Sequence, residues 1–169
     1  GHLVFSTLHT NEAAATIPRL IDLGTKPSII APAINLTIAQ RLVRRLCLKC
    51  KKPLKITPKL GQEIETFLKN LPARVKKPKP NEIKIFQSRG CNFCNNLGYK
   101  KRVGIFEFLI IDDEIEKLIN QEPTQALLKE SALKKGMVTM QQDGILKVLE
   151  GTTSFEEVRH VTGPLPLTI

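Results

Sequence analysis

Four cysteines, set out as Cys47-Leu-Lys-Cys50 and Cys91-Asn-Phe-Cys94, are the residues whose type and spacing most directly imply chemistry, and they are the only cysteines in the chain. A C-x-x-C turn brings two sulfurs within reach of one ion. Two such turns facing each other complete a tetrahedral shell of four thiolates, the arrangement of a structural zinc site. Such a shell leaves no open position for water or substrate, so the expected role is a clip and not a catalyst. Cations flank both couplets, Arg44, Arg45, Lys49, Lys51 and Lys52 at the first and Lys100, Lys101 and Arg102 at the second. Nearby positive charge favours thiolate over thiol. Two disulfides would demand an oxidising compartment, which nothing in the sequence calls for. Four free thiols stay open as a reading, as does iron in place of zinc, because sulfur-only tetrahedral sites suit both metals.

The second chemical candidate is the opening run His2-Leu-Val-Phe-Ser-Thr-Leu-His9-Thr-Asn11. Residues 2–9 read as a strand. Period-two geometry then puts Thr7 and His9 on one face with Leu3 and Phe5, and His2 on the other, so the two histidines are not expected to form a metal pair. Asn11 is expected to cap a helix over residues 12–23 that stops at Gly24, with Pro18 bending it or loosening its first turns. A strand that ends in Thr, His and Asn and feeds straight into a helix is where ligands bind in open α/β sheets. Polar groups there can meet a phosphate or an attacking water; the same pattern also describes a capped strand-to-helix turn whose histidine merely bonds its neighbours.

Both candidates need elements to position them. Residues 36–46 fit helix and strand periods in part, and strand is favoured because residues 102–111, Arg-Val-Gly-Ile-Phe-Glu-Phe-Leu-Ile-Ile, are rich in β-branched and aromatic side chains. Antiparallel pairing of these two segments would bring the couplets together at one end of a ribbon. A metal there would close the excursion of residues 51–90 and offset its loop entropy. Within the excursion, Thr57-Pro58 opens a helix to about residue 70, and residues 71–80, with three prolines, read as an irregular exposed loop. From Asp112 onward the chain is expected to be helical: Asp112-Asp113-Glu114 caps a helix to residue 120, Gly136 and Gly151 close two more, and Thr153-Ser-Phe-Glu156 forms a capping box for a last helix to about residue 161. These small amphipathic helices are expected to pack as a bundle.

The formal charge is +10, and from Arg41 to Pro80 only Glu63 and Glu65 oppose the lysines and arginines. Such a basic face suits nucleic acid, anionic lipid headgroups or an acidic protein, or is simply a solvated surface. Phe67 is the only aromatic in that region and Phe86 the next beyond it, which argues against single-strand binding by base stacking. No apolar run approaches the roughly twenty residues needed to span a bilayer.

The opening Gly-His-Leu-Val-Phe-Ser-Thr-Leu-His-Thr-Asn resembles the histidine box of the hexameric secretion ATPases that power type II secretion and type IV pilus assembly. Ile17-Pro-Arg-Leu-Ile-Asp-Leu-Gly24, Ala39-Gln-Arg-Leu-Val-Arg-Arg-Leu-Cys47 and Arg102-Val-Gly-Ile-Phe-Glu107 are similar to that family's downstream segments. So is the tail from Gly136-Met137 through Asp143-Gly144-Ile-Leu-Lys-Val148 to Thr-Ser-Phe-Glu-Glu-Val158. In that family the four-cysteine insertion marks the secretion and assembly branch, while retraction motors generally lack it. The resemblance implies an α/β fold: the tail of a RecA-like P-loop NTPase sheet over residues 1–46, a zinc-binding insertion over 47–100, a returning strand over 101–111 and a C-terminal helical subdomain over 112–169.

The start at Gly1, directly into Leu3-Val4-Phe5, reads as a cut through a larger polypeptide, and no G-x-x-x-x-G-K-[ST] phosphate loop occurs in the sequence. The resemblance places that loop, the magnesium-coordinating acids and the arginine contacts upstream, so ATP and Mg2+ belong to the full-length parent and the fragment alone is expected to be inactive. In the parent, His2 and His9 would lie near the nucleotide, with His9 and Thr7 sensing the γ-phosphate or orienting water. The same resemblance implies a homo-hexamer, cytoplasmic and peripheral at the inner face of the inner membrane. It would work with the inner-membrane platform and cytoplasmic components of a secretion or pilus machine, with anionic lipid within reach of its lysines and nucleic acid not expected. The competing reading is a stand-alone zinc-ribbon module that binds nucleic acid through its lysine-rich face; it leaves the histidine-box segment, the helical tail and the abrupt start unexplained.

Overall fold

The computed structural model describes residues 2–167. Its organising element is a two-stranded ribbon formed by β1 (Leu36–Leu46) and, after the short paired strands β2 (Lys52–Pro53) and β3 (Phe86–Gln87), by β4 (Tyr99–Ile110). Ile111 N–H donates to Asn35 O at 3.0 Å, and Cys47 N–H donates to Gly98 O at 2.9 Å, so β1 and β4 run antiparallel, and β1 ends and β4 begins beside a cysteine couplet. β2 and β3 are also antiparallel, with Lys52 opposite Gln87. The chain divides into two compact units, Gly1–Ala39 with Glu107–Met137 and Gln40–Phe106 with Val138–Ile169; the first two boundaries fall inside β1 and β4 and the third between the helices Gln125–Lys134 and Met140–Leu149.

The first unit holds a 3-10 turn at Ala13–Ala15, then α1 (Thr16–Asp22) and α2 (Pro27–Ala33). Pro18 has no N–H to give to a preceding turn, so the α-helix begins at Thr16 and the turn before it tightens to 3-10. Gly24 ends α1 at φ +90°, its N–H donating to Ile21 O at 2.8 Å while Thr25 N–H donates to Leu20 O at 3.1 Å, the double closure of a Schellman motif. α2 is an addition to the sequence reading. Pro27 sits at its first position, where a missing N–H costs nothing, and Pro32 lies in its last turn. After the ribbon come α4 (Asp113–Ile119), capped by Asp112 Oδ1 accepting from Ile115 N–H at 3.0 Å, and α5 (Gln125–Lys134), capped by Thr124. α2 packs on α4, α4 on α5, and α5 on the 3-10 turn, around Ala13, Ala14, Ile17, Ile30, Leu109, Ile115, Ile119 and Leu128, all buried.

Residues 2–9 depart from expectation: they form no strand, and Leu3, Val4 and Phe5 are 78, 77 and 88% exposed. A strand exists only by pairing, and among the described residues β1 pairs with β4 and β2 with β3, while residues 2–9 pair with no strand. Nor does Asn11 cap the helix. Glu12 occupies the N-cap position without a side-chain cap bond; its carboxylate accepts instead from Lys129 and Gln125, and the Ala13 N–H is taken by Glu107.

The second unit contains α3 (Pro58–Asn70), α6 (Met140–Leu149) and α7 (Phe155–Thr162). Thr57 caps α3 by accepting from Leu60 N–H at 3.2 Å. Leu60, Ile64 and Phe67 recur at helical spacing and pack with Ile145, Val148, Leu149, Phe155 and Val158 into one core. The excursion between the couplets is thus folded into this unit; Leu71 and Ile85 at the ends of its proline-rich part are buried, and Lys84 N–H donates to Leu149 O. α4 and α5 fall in the first unit and α6 and α7 in the second. The last cap lies one residue later than expected. Ser154, not Thr153, accepts from the third helical N–H, that of Glu157, and the Glu157 carboxylate turns away to Arg44.

Candidate metal centre and the histidine segment

The two couplets stand at the ends of β1 and just ahead of β4, each folded back on itself by its own backbone. Cys50 N–H and Lys51 N–H donate to Cys47 O, and Cys94 N–H and Asn96 N–H donate to Cys91 O. The second turn needs left-handed backbone at Asn95 and Asn96 (φ 51° and 61°) and at Gly90 and Gly98 (φ +101° and +77°). A Cβ on Gly90 would lie 2.6 Å from Asn96 O, so no side chain fits there without moving the turn.

This brings all four sulfurs within 4.8 Å of one another. Cys47 Sγ lies 4.0 Å from Cys91 Sγ, and Cys94 Sγ lies 3.8 Å from both Cys50 Sγ and Cys91 Sγ. A tetrahedral zinc with sulfur bonds of about 2.3 Å sets its sulfurs about 3.8 Å apart, so the donor set fits the ion. None of the four cysteines is in a disulfide, and three of them are buried. Among the described residues they are the one group of three or more His, Cys, Asp or Glu side chains placed to hold a metal.

The electrostatics differ from the expectation of cations beside sulfur. Burial pushes the Cys50 thiol up to about 12. Burial is also the largest influence on Cys94, yet N–H donors from Cys91 (3.3 Å) and Gly98 (3.2 Å) outweigh it and bring that thiol down to about 7. Three of the neighbouring cations are engaged elsewhere: Lys49 and Lys100 lie 4.2 and 3.6 Å from the centroid of the Phe93 ring, and Lys51 donates to Gly151 O at 2.8 Å while covering Phe86. Backbone amides, not side-chain charge, supply the polarity at the Cys94 sulfur.

His2, Thr7 and His9 are exposed, and the structure gathers them into no donor cluster. Their segment is anchored at its C-terminal end. Ala13 N–H donates to Glu107 Oε1 at 3.0 Å, Thr37 Oγ1 donates to Ala13 O at 3.0 Å, and Glu12 Oε2 accepts from Lys129 Nζ at 2.8 Å and Gln125 Nε2 at 3.1 Å. Sequence reasoning passed over Glu107 and Glu157. Glu107 had a signal, since it stands between Ile105 and Leu109 on the buried face of β4, where an acid must have partners. Glu157 had a weaker one, the Ser154-x-x-Glu157 spacing of a capping box.

Residues 1–160 match the family described as Type II/IV secretion system protein. The Type IV pilus assembly ATPase PilB of Myxococcus xanthus is 37% identical over 164 residues, covering 97% of this chain and 28% of that protein. The Type IV pilus assembly ATPase PilB of Acinetobacter baylyi is 40% identical, covering 96% and 27%. The Type II secretion system ATPase E of Vibrio cholerae is 37% identical, covering 96% and 30%. The chain therefore spans less than a third of the length of these relatives.

Proposed function

Because the chain belongs to the Type II/IV secretion system protein family, we propose that it is the C-terminal portion of a longer, hexameric ATPase that drives type IV pilus assembly or type II secretion. The observation that carries this reading is the match over residues 1–160 to relatives named as such ATPases, in a chain whose four cysteines stand at tetrahedral spacing. Cys47, Cys50, Cys91 and Cys94 hold a structural zinc that clips the ends of β1 and β4 together. Residues 1–46 complete a nucleotide-binding core, residues 47–100 form the zinc-binding insertion, 101–111 the returning strand and 112–169 the helical portion that carries motion away.

In the full-length parent, ATP and Mg2+ are held by upstream groups, and His2, Thr7 and His9 face the nucleotide. His9 and Thr7 respond to the γ-phosphate or orient water, a role suited to their exposure in a segment that leads straight into a buried helix start. The parent works at the inner face of the inner membrane with the platform and cytoplasmic components of its machine. Among the described residues no helix is long and apolar enough to cross a membrane, and the lysine-rich residues 41–80 suit anionic lipid headgroups by charge.

A His9→Ala change in the full-length parent tests this directly. ATP turnover should fall at least about tenfold, as for loss of one positioned group in phosphoryl transfer, with one zinc per chain retained in anaerobically purified protein. Unaltered turnover removes His9 from the mechanism, and iron or no metal by elemental analysis removes the zinc.

A further inference from the structure

The chain passes from exposed to fully buried between residues 7 and 13. Residues 2–7 are exposed and belong to no helix or strand, whereas Ala13 and Ala14 have no accessible surface. Between them Glu12 is extended, at φ −135° and ψ 152°, and is the last residue before the 3-10 turn. Both polar backbone groups of Ala13 are taken by side chains of the two ribbon strands, Glu107 on β4 and Thr37 on β1. Those contacts are buried, and sliding Ala13 would strand a donor and an acceptor together, so Ala13 is a fixed point. The Glu12 side chain reaches a third element, α5, where Lys129 and Gln125 stand one turn apart and share its carboxylate. Glu12 thus has a backbone continuous with the Thr7–His9 segment and a side chain tied to α5, immediately beside the fixed point.

We propose that Glu12 and Ala13 form a transmission joint: Glu107 and Thr37 hold the pivot at Ala13, and Glu12 passes reorientation of the His9 segment to α5 through Lys129 and Gln125. This rests on the reading of His9 as nucleotide-facing and adds the route by which the state of that segment leaves the site. The two halves of the joint are built for different tasks. The pivot bonds are buried and hard to break. The Glu12–Lys129 pair is about one-third exposed on each side, so it can part and re-form without leaving a desolvated charge. A pair that only decorated the surface would be indifferent to what the His9 segment does.

The experiment uses the full-length parent as wild type, Glu12→Gln, Lys129→Met and the charge-reversed double variant Glu12→Lys with Lys129→Glu. It reads steady-state ATP turnover together with amide hydrogen exchange of α5 with and without a non-hydrolysable ATP analogue. Each single variant should lower kcat about tenfold with KM little changed, the size of an ordinary coupling between two sites, and should abolish the nucleotide-dependent change in α5 exchange. The reversed pair should restore most of both. An α5 response in Lys129→Met equal to wild type, or a reversed pair as impaired as the single variants, overturns the joint. A wild-type parent that neither hydrolyses ATP nor alters its α5 exchange takes down the functional reading, and the joint with it.

Discussion

A buried carboxylate that keeps its charge has to be held, and at Glu157 the holder is Arg44. The Glu157 side chain is 4% exposed; its Oε1 accepts Arg44 N–H at 2.9 Å and its Oε2 accepts Arg44 Nη2 at 2.6 Å. The guanidinium also lies 4.3 Å from the Tyr99 ring centroid, and Thr153 Oγ1 donates to Arg44 O at 2.8 Å. One residue of β1 is therefore gripped through its amide, its carbonyl and its side chain, which docks the loop before α7 on the strand. Burial by itself would raise the Glu157 pKa, but the bonds from Arg44 outweigh it and hold the carboxyl below its ordinary 4.5. A depressed carboxylate pKa contributes stability in full above the unfolded value and loses it as pH falls through the folded one. The melting-temperature gap between wild type and Glu157→Gln should accordingly stay constant above about pH 6 and close as pH drops below the ordinary glutamate range. Arg44→Ala leaves Glu157 buried with only the amide bond, and urea unfolding should show a loss of about 1–3 kcal/mol. A pH-independent gap would mean that the clamp is not electrostatic.

At the scale of elements, the cysteine turns depend on backbone shape as much as on sulfur. Gly90 combines φ +101° with a contact that excludes a Cβ, while Gly24 has a similar φ of +90° and nothing within 4 Å of where its Cβ would be. Gly24→Ala should therefore cost only backbone strain, about 1 kcal/mol in thermal unfolding. Gly90→Ala should add displacement of the turn, releasing the metal to a chelator at least about tenfold faster, as expected when the groups that orient ligands are disturbed. Equal metal release by the two variants would separate the turn from the site. The elements that sequence made legible are those that announce themselves locally. α3 lies within the expected bounds because a Thr-Pro start is a signal of the segment itself, and β1 does because its ambiguous residues 36–46 have a β-branched and aromatic partner in residues 102–111. Residues 2–9 read as a strand by composition, but strand formation is decided by a pairing edge that composition cannot report. α2 was hidden by two prolines, Pro27 at the first position, where a helix tolerates it, and Pro32 inside the helix, which reads as a breaker. The couplets were legible as a site because cysteine spacing is its own geometry. The acids that hold the ribbon and its flanking segments, Glu107 and Glu157, were not, because their partners are 94 and 113 residues away.

At the scale of the whole molecule, the question is what a chain covering 28% of a pilus assembly ATPase can do by itself. Phosphoryl transfer is driven by positioning and charge neutralisation: a phosphate loop with its lysine, a metal held by acids, and arginines against the developing charge. The chain contains no G-x-x-x-x-G-K-[ST] segment. Its candidate nucleotide-facing side chains, His2, Thr7 and His9, are exposed and gathered into no cluster. A group that senses a γ-phosphate contributes only when something else has already fixed that phosphate within reach, so the role proposed for His9 requires a phosphate-binding loop that this sequence does not contain. The purified 169-residue chain, loaded with zinc and given Mg2+-ATP, should release phosphate at the rate of the buffer blank, and its melting temperature should not rise with millimolar ATP. It should nonetheless keep its metal and unfold cooperatively, because the cysteine turns and the second unit's core, from Leu60 to Val158, lie within the chain. Phosphate release above the blank that persists in the His9→Ala version of the same chain would place catalytic groups elsewhere in these 169 residues and undo the assignment of the chain to one part of a larger motor.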